Sequence, residues 1–310
     1  MNVTRRGFLA RGAACAAGVT LLPRFAAAEE PGSDAVSEAP SSGQPATATE
    51  PAQLRLSSQL AVIPGRDLAE KLANMERWGF DAVELDGDIV GHEKKYEDAL
   101  KNTKLKCSAI CWGSLKGALV SPVAEERKTG GEALKQVLTS SAALHSTGVI
   151  FVPAFNSETK LTNQEIRKIL LDTMPAIGEH AVKVGSRVLL EPLNRKEAFF
   201  LRQVADAASI ARDCQSPGIC VMGDFFHMFI EETSDLGAFI SGGSWVHHVH
   251  LASRTRCLPG QDERQFVEGF RGLKQIGFQD YCSFECRAPS EPKVEIPKSL
   301  AFLRDQWSKA

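Results

Sequence analysis

The sequence predicts an α/β fold, a single-domain (β/α)8 TIM barrel over residues 54–310, and three observations predict it. Eight short runs rich in aliphatic residues recur along that segment, amphipathic stretches with apolar residues three and four apart lie between them, and its length is that of one barrel, typically about 250 residues. A doubly wound sheet is the competing arrangement. It would show a glycine-rich phosphate turn after an early strand, whereas the first run leads into IPGRD (63–67).

The eight runs are LRLSSQLAVI (54–63), DAVELDG (81–87), KCSAICW (106–112), GVIFVPAF (148–155), RVLLEPL (187–193), ICVMGDFF (219–226), WVHHVHLA (245–252) and YCSFECR (281–287). Runs this apolar suit parallel strands buried on both faces. The clearest helical patterns between them are 67–79, 125–145, 163–185 and 206–214, each with the spacing that a surface helix needs to bury one stripe.

Two segments precede the barrel. Residues 1–28 read as an export signal: Arg5 and Arg6 stand before Phe8 and Leu9, a short apolar run covers 13–22, and Ala26, Ala27 and Ala28 offer a small-residue cleavage site. The pattern resembles a twin-arginine translocation signal, so the expected location is the periplasm or the exterior. The run is about half the roughly 20 residues of a bilayer span, so no stable membrane insertion is expected after cleavage. Cys15 lies inside the run rather than after it, which disfavours lipidation. Residues 29–53 lack aromatic and large aliphatic side chains and read as a disordered linker.

The 310 residues carry 36 basic and 38 acidic side chains, a formal charge of −2, with no basic stripe that would mark a nucleic-acid binder. The expected partner is a small molecule. Beyond Cys15 there are seven cysteines, without zinc-knuckle spacing. Strand alternation puts Cys107 and Cys111 on one face about 13 Å apart, too far for a disulfide, and the same holds for Cys282 and Cys286. Export leaves one or two disulfides open, and the sequence does not choose a pairing.

In such a barrel the active site lies at the C-terminal ends of the strands. Four polar residues stand there after apolar runs: Glu191, Asp224, His250 and Glu285. They lie 33, 26 and 35 residues apart, each about one strand-plus-helix repeat, so they converge on one point from consecutive strands. Buried carboxylates need a cation or a partner. Three carboxylates and one imidazole suit a divalent metal, Mn²⁺ or Mg²⁺ or Co²⁺, with Zn²⁺ also open. Within WVHHVHLA, alternation turns His247 toward the helical layer and His248 and His250 toward the interior. His248 lies deeper, as a core residue or a support for His250.

These four residues resemble the metal set of the xylose-isomerase-like sugar isomerases and epimerases, a family that includes ketose 3-epimerases, hydroxypyruvate isomerases and inosose dehydratases. The resemblance implies Glu191, Asp224, His250 and Glu285 as ligands of one divalent metal, Mn²⁺ foremost, and implies substrate-binding roles for His227, three after the aspartate, Arg256, six after the metal histidine, and Glu197, six after the first glutamate. It also makes a homodimer or homotetramer the expected assembly.

The chemistry of the residues points the same way. A proton beside a carbonyl is barely acidic, and a metal can hold the charge its removal leaves on oxygen. Glu191 and Glu285 on opposite faces of the carbon would remove and return the proton through a metal-bound enediolate. Asn194, Glu84 and Trp112 are further polar or wall-forming candidates near the mouth. The expected function is that of a sugar isomerase or epimerase acting on a ketose or keto-sugar. The alternatives are a lyase, dehydratase or keto-glycoside-cleaving enzyme on the same metal, and a noncatalytic sugar-binding barrel, against which the paired glutamates argue.

Overall fold

A computed structural model describes residues 51–310; the export signal and nearly all of the expected linker lie outside them. Each of the eight apolar runs contains a strand: β1 Arg55–Ser58, β2 Ala82–Asp86, β3 Lys106–Gly113, β4 Val149–Phe151, β5 Val188–Leu190, β6 Ile219–Asp224, β7 Val246–Leu251 and β8 Tyr281–Phe284. All pair in parallel in the order β1-β8-β7-β6-β5-β4-β3-β2. A bridge between Gln59 and Glu84, just beyond β1 and within β2, brings the two edges together into a nearly closed barrel. The helices are α1 Leu68–Trp78, α2 Glu93–Leu100, α3 Ala124–Ala143, α4 Asn163–Val184, α5 Val204–Asp213, α6 Phe225–Glu231, α7 Asp235–Gly242, α8 Val267–Gln275 and α9 Pro292–Lys309.

Alternating strand residues feed two cores. Leu56, Val83, Leu85, Val149, Phe151, Val188, Leu190, Val249, Leu251 and Phe284 face the helices. Ala109, Ile150, Leu189, Cys220 and Met222, with Cys111 against them, fill part of the interior. Local signals set the helix ends. In α4, Thr162 accepts from the Glu165 amide while the Glu165 side chain accepts from the Thr162 amide, and Gly185 ends the helix with φ of 84°. Asp67 and Gly79 bound α1 in the same way.

Two irregularities correct the alternation argument. Val83 pairs with Cys107 and Leu85 with Ile110, so β3 carries one extra residue at Ser108–Ala109. Cys107 therefore packs in the outer core and Cys111 against the inner one, on opposite faces rather than the same face. A second extra residue lies in β7, where Val221 pairs with Val246 but Met222 with His248. The extra residue, His247, does not face the helical layer. It reaches under the barrel to Asp280 (2.7 Å), with Cys220 of the inner cluster beside it, and the other Asp280 oxygen lies 3.4 Å from the Thr147 hydroxyl at the foot of β4. Because the bulge precedes them, His248 and His250 still point inward as expected. The seven described cysteines are all free thiols.

Candidate active site

The four predicted residues meet at the C-terminal mouth. Glu191 follows β5, Asp224 ends β6, His250 lies near the end of β7 and Glu285 follows β8. One atom from each falls within 4.8 Å of the others. His250 Nδ1 is the hub, 2.9 Å from Glu285, 3.4 Å from Glu191 and 3.7 Å from Asp224. Glu191, Asp224 and His250 are buried, while Glu285 keeps a partly open edge toward solvent.

Four carboxylate and imidazole groups packed this tightly perturb one another. Burial and the neighbouring Glu285 hold the Glu191 carboxyl above its ordinary range against the pull of His250. Burial also disfavours the Asp224 anion, but Arg256 and His227 outweigh it and hold that carboxyl well below the ordinary range. His250 resists burial and stays well above the ordinary imidazole range because Glu84 and Glu285 face it. Two neighbouring carboxylates, Glu191 and Asp224, are thus pushed in opposite directions.

Whether this set fits a divalent cation is tested by its unsatisfied atoms. Glu191 Oε1 and His250 Nδ1 are buried without a hydrogen bond, and both belong to the cluster. Leaving such atoms unpaired costs about 1–3 kcal/mol each. A cation held by three oxygens and one nitrogen would satisfy both, and it would compete with the proton that the surrounding anions favour on His250. The residues fit the group.

The other candidates extend this centre. Arg256, whose φ of 59° lies in the left-handed region, donates to both Asp224 and Glu285, and its guanidinium stacks 4.8 Å above the Phe226 ring. His227, one turn into α6, places Nε2 3.5 Å from Asp224 Oδ2. Its Nδ1 accepts from both the backbone amide (3.3 Å) and the side-chain amide (2.7 Å) of Asn194. Two donors on Nδ1 leave the ring proton on Nε2, facing the site. Asn194 in turn donates to Glu197 at 2.7 Å. Glu197 is thus linked to the centre through Asn194 and His227, and its carboxylate is half-exposed.

Glu84 is more central than its position on β2 suggested. It is fully buried beneath the mouth, where one carboxylate accepts from Gln59 Nε2 (2.8 Å), His248 Nε2 (2.8 Å) and His250 Nε2 (3.1 Å). The two histidines outweigh the burial cost and hold it well below the ordinary carboxylate range. Gln59 escapes sequence reasoning, since one polar residue in the middle of the first apolar run gives no sign of a role. Trp112, next to last in β3, is half-buried and packs across Gly87 and beside Phe151 (ring centroids 6.1 Å apart), against the outer core rather than the interior one.

Known proteins share this architecture. The 3-dehydro-D-guloside 4-epimerase of Escherichia coli strain K12 is 27% identical over 263 residues, covering 81% of this chain and 99% of that one. A probable ketose 3-epimerase of Synechocystis is 25% identical over 234 residues, covering 68% and 75%. The crystal structure of a 3-keto-D-glucoside 4-epimerase from E. coli superposes with a TM-score of 0.74 at 26% identity, covering 82% of this chain and all of the other. A family model described as xylose isomerase-like TIM barrel matches residues 72–306, and the chain belongs to that family.

Proposed function

We propose that the protein is a metal-dependent epimerase of keto-sugars, with Glu191 and Glu285 as its acid/base pair. Its relatives named as epimerases place it among the isomerases and support a small sugar as substrate. The observation that carries the reaction is the pair of glutamates facing one imidazole nitrogen from β5 and β8, three strands apart around the mouth. A carbon held between them is reached by a carboxylate on each side.

A divalent cation held by Glu191, Asp224, His250 and Glu285, Mn²⁺ by preference for such an oxygen-rich set, would supply positive charge to the substrate oxygen as the neighbouring carbon loses its proton. Glu191 or Glu285 takes that proton, and the other returns one from the opposite side, which inverts the carbon. His227, fixed as an Nε2–H donor by Asn194, and the Arg256 guanidinium donate to substrate oxygens and set which carbon lies between the glutamates. The E. coli epimerase names specify a 3-dehydro-guloside or 3-keto-glucoside and the Synechocystis name a ketose; both substrate types carry a carbonyl beside an invertible carbinol carbon. We place this activity in the periplasm or outside the cell on the strength of Arg5, Arg6 and the short apolar run after them.

The deciding experiment incubates the purified, Mn²⁺-loaded protein with free ketoses and with 3-keto-glucosides in D₂O. Deuterium entering one carbon next to the carbonyl, with the inverted sugar as product and neither event in Glu285→Gln, is expected. Product formation by loss of water or of the aglycone would overturn epimerisation.

A further inference from the structure

Glu84 and His248 lie outside the four-residue cluster, yet both are fully buried and bonded to each other. A carboxylate shut inside a barrel is costly, and this one is held by three donors from two strand regions: Gln59 beyond β1, and His248 and His250 on β7. Gln59 is itself tied to the adjacent strand β8 by its backbone amide, which donates to the carbonyl of Phe284 (3.0 Å), the residue before Glu285. Glu84 thus has no freedom to turn away.

This geometry has one consequence at His250. Both Glu84 oxygens stand 3.1 Å from His250 Nε2, so that nitrogen carries a proton and donates it. The ring can then present only Nδ1 to Glu191, Asp224 and Glu285, and its plane is fixed by the same bond. His248, whose ring lies edge-on to that of His250 (centroids 5.3 Å apart, 84° between planes), donates to Glu84 Oε2 and stops the carboxylate rotating.

We propose that Glu84, braced by His248 and Gln59, is the positioning group that holds His250 Nδ1 toward the cation site, and so sets the affinity of the centre for a divalent metal. Its side-chain bonds among the described residues go to Gln59, His248 and His250 and to none of the cluster's carboxylates, so it reaches the centre through His250. The proposal rests on the reading of the four-residue cluster as a metal centre.

The test titrates metal-free protein with Mn²⁺ alone by calorimetry, alongside melting curves in EDTA. In Glu84→Gln the new amide turns N–H groups toward at least one existing donor, so the Mn²⁺ dissociation constant should rise by about 10- to 100-fold, as for other groups that orient a metal-bound histidine. Turnover at saturating Mn²⁺ should return to within a few-fold of the parent, and Glu84→Asp should recover part of the affinity. Should Glu84→Gln fail to fold, His248→Asn carries the same expectation at several-fold. A Mn²⁺ dissociation constant within twofold of the parent in a folded variant, with only the melting temperature lowered, overturns the proposal and leaves Glu84 a structural residue. Asp224→Ala separates the two readings: if it binds Mn²⁺ as the parent does, the metal centre itself is wrong.

Discussion

Single side chains decide the chemistry, and their roles differ enough to be separated. Glu191→Gln and Glu285→Gln each remove one of the proposed proton carriers while leaving shape intact, so kcat should fall by roughly 10²–10⁴-fold, as for general acid–base groups, with the fold preserved by circular dichroism. Asn194→Leu fills the same buried volume but takes both the side-chain donor from His227 Nδ1 and the link to Glu197. The backbone amide of residue 194 still donates to Nδ1 at 3.3 Å, so the ring keeps its Nε2–H but is oriented by the longer bond alone. KM should rise by about tenfold, the equivalent of one buried hydrogen bond, with a smaller change in kcat, measured by initial rates. A selective loss of kcat in that variant would place His227 among the proton carriers instead.

Elements set the frame, and here the sequence is uneven as a guide. All eight strands are legible because each is a compact apolar run. Helices α1, α3, α4 and α5 are legible from their apolar spacing, and α4 announces both ends through Thr162, Glu165 and Gly185. Thr162→Ala should accordingly lower unfolding free energy by about 0.5–2 kcal/mol and leave kcat untouched, read by urea unfolding and rate assays. Other helices carry weaker signals for identifiable reasons. Helix α2 buries only Tyr96, α6 follows Asp224 directly with apolar residues on most sides, and α9 contains Pro292 and Pro297. The bulges in β3 and β7 depend on register with a neighbouring strand, which no single run encodes. The same limit holds for the site. Position alone picks out Glu191, Asp224, His250 and Glu285, but the threefold bonding of Glu84 brings together residues as far apart as Gln59 and His250.

At the scale of the whole molecule, ligand and proton binding couple to stability. If Mn²⁺ binds only the folded chain, adding it at 100 times its dissociation constant should raise stability by about 2.7 kcal/mol and EDTA should remove the gain, as seen in thermal melts. At the opposite end of the barrel, burial lowers the His247 pKa, but Asp280 more than compensates and raises it to about 9. The raised value means the folded state binds the proton more tightly than the unfolded one. This contribution is complete below about pH 6.5 and declines as pH rises through about 9. His247→Gln should flatten that alkaline loss in pH-dependent unfolding, and an unchanged slope would remove the pair from the account. The extra residue that carries His247 also acts as a phase absorber for β7. Because the register with β6 resumes at His248, a deletion of residue 247 would shorten the foot of the strand without rotating His250 out of the mouth. The catalytic end and the supporting end of the strand are therefore free to change independently, one residue at a time.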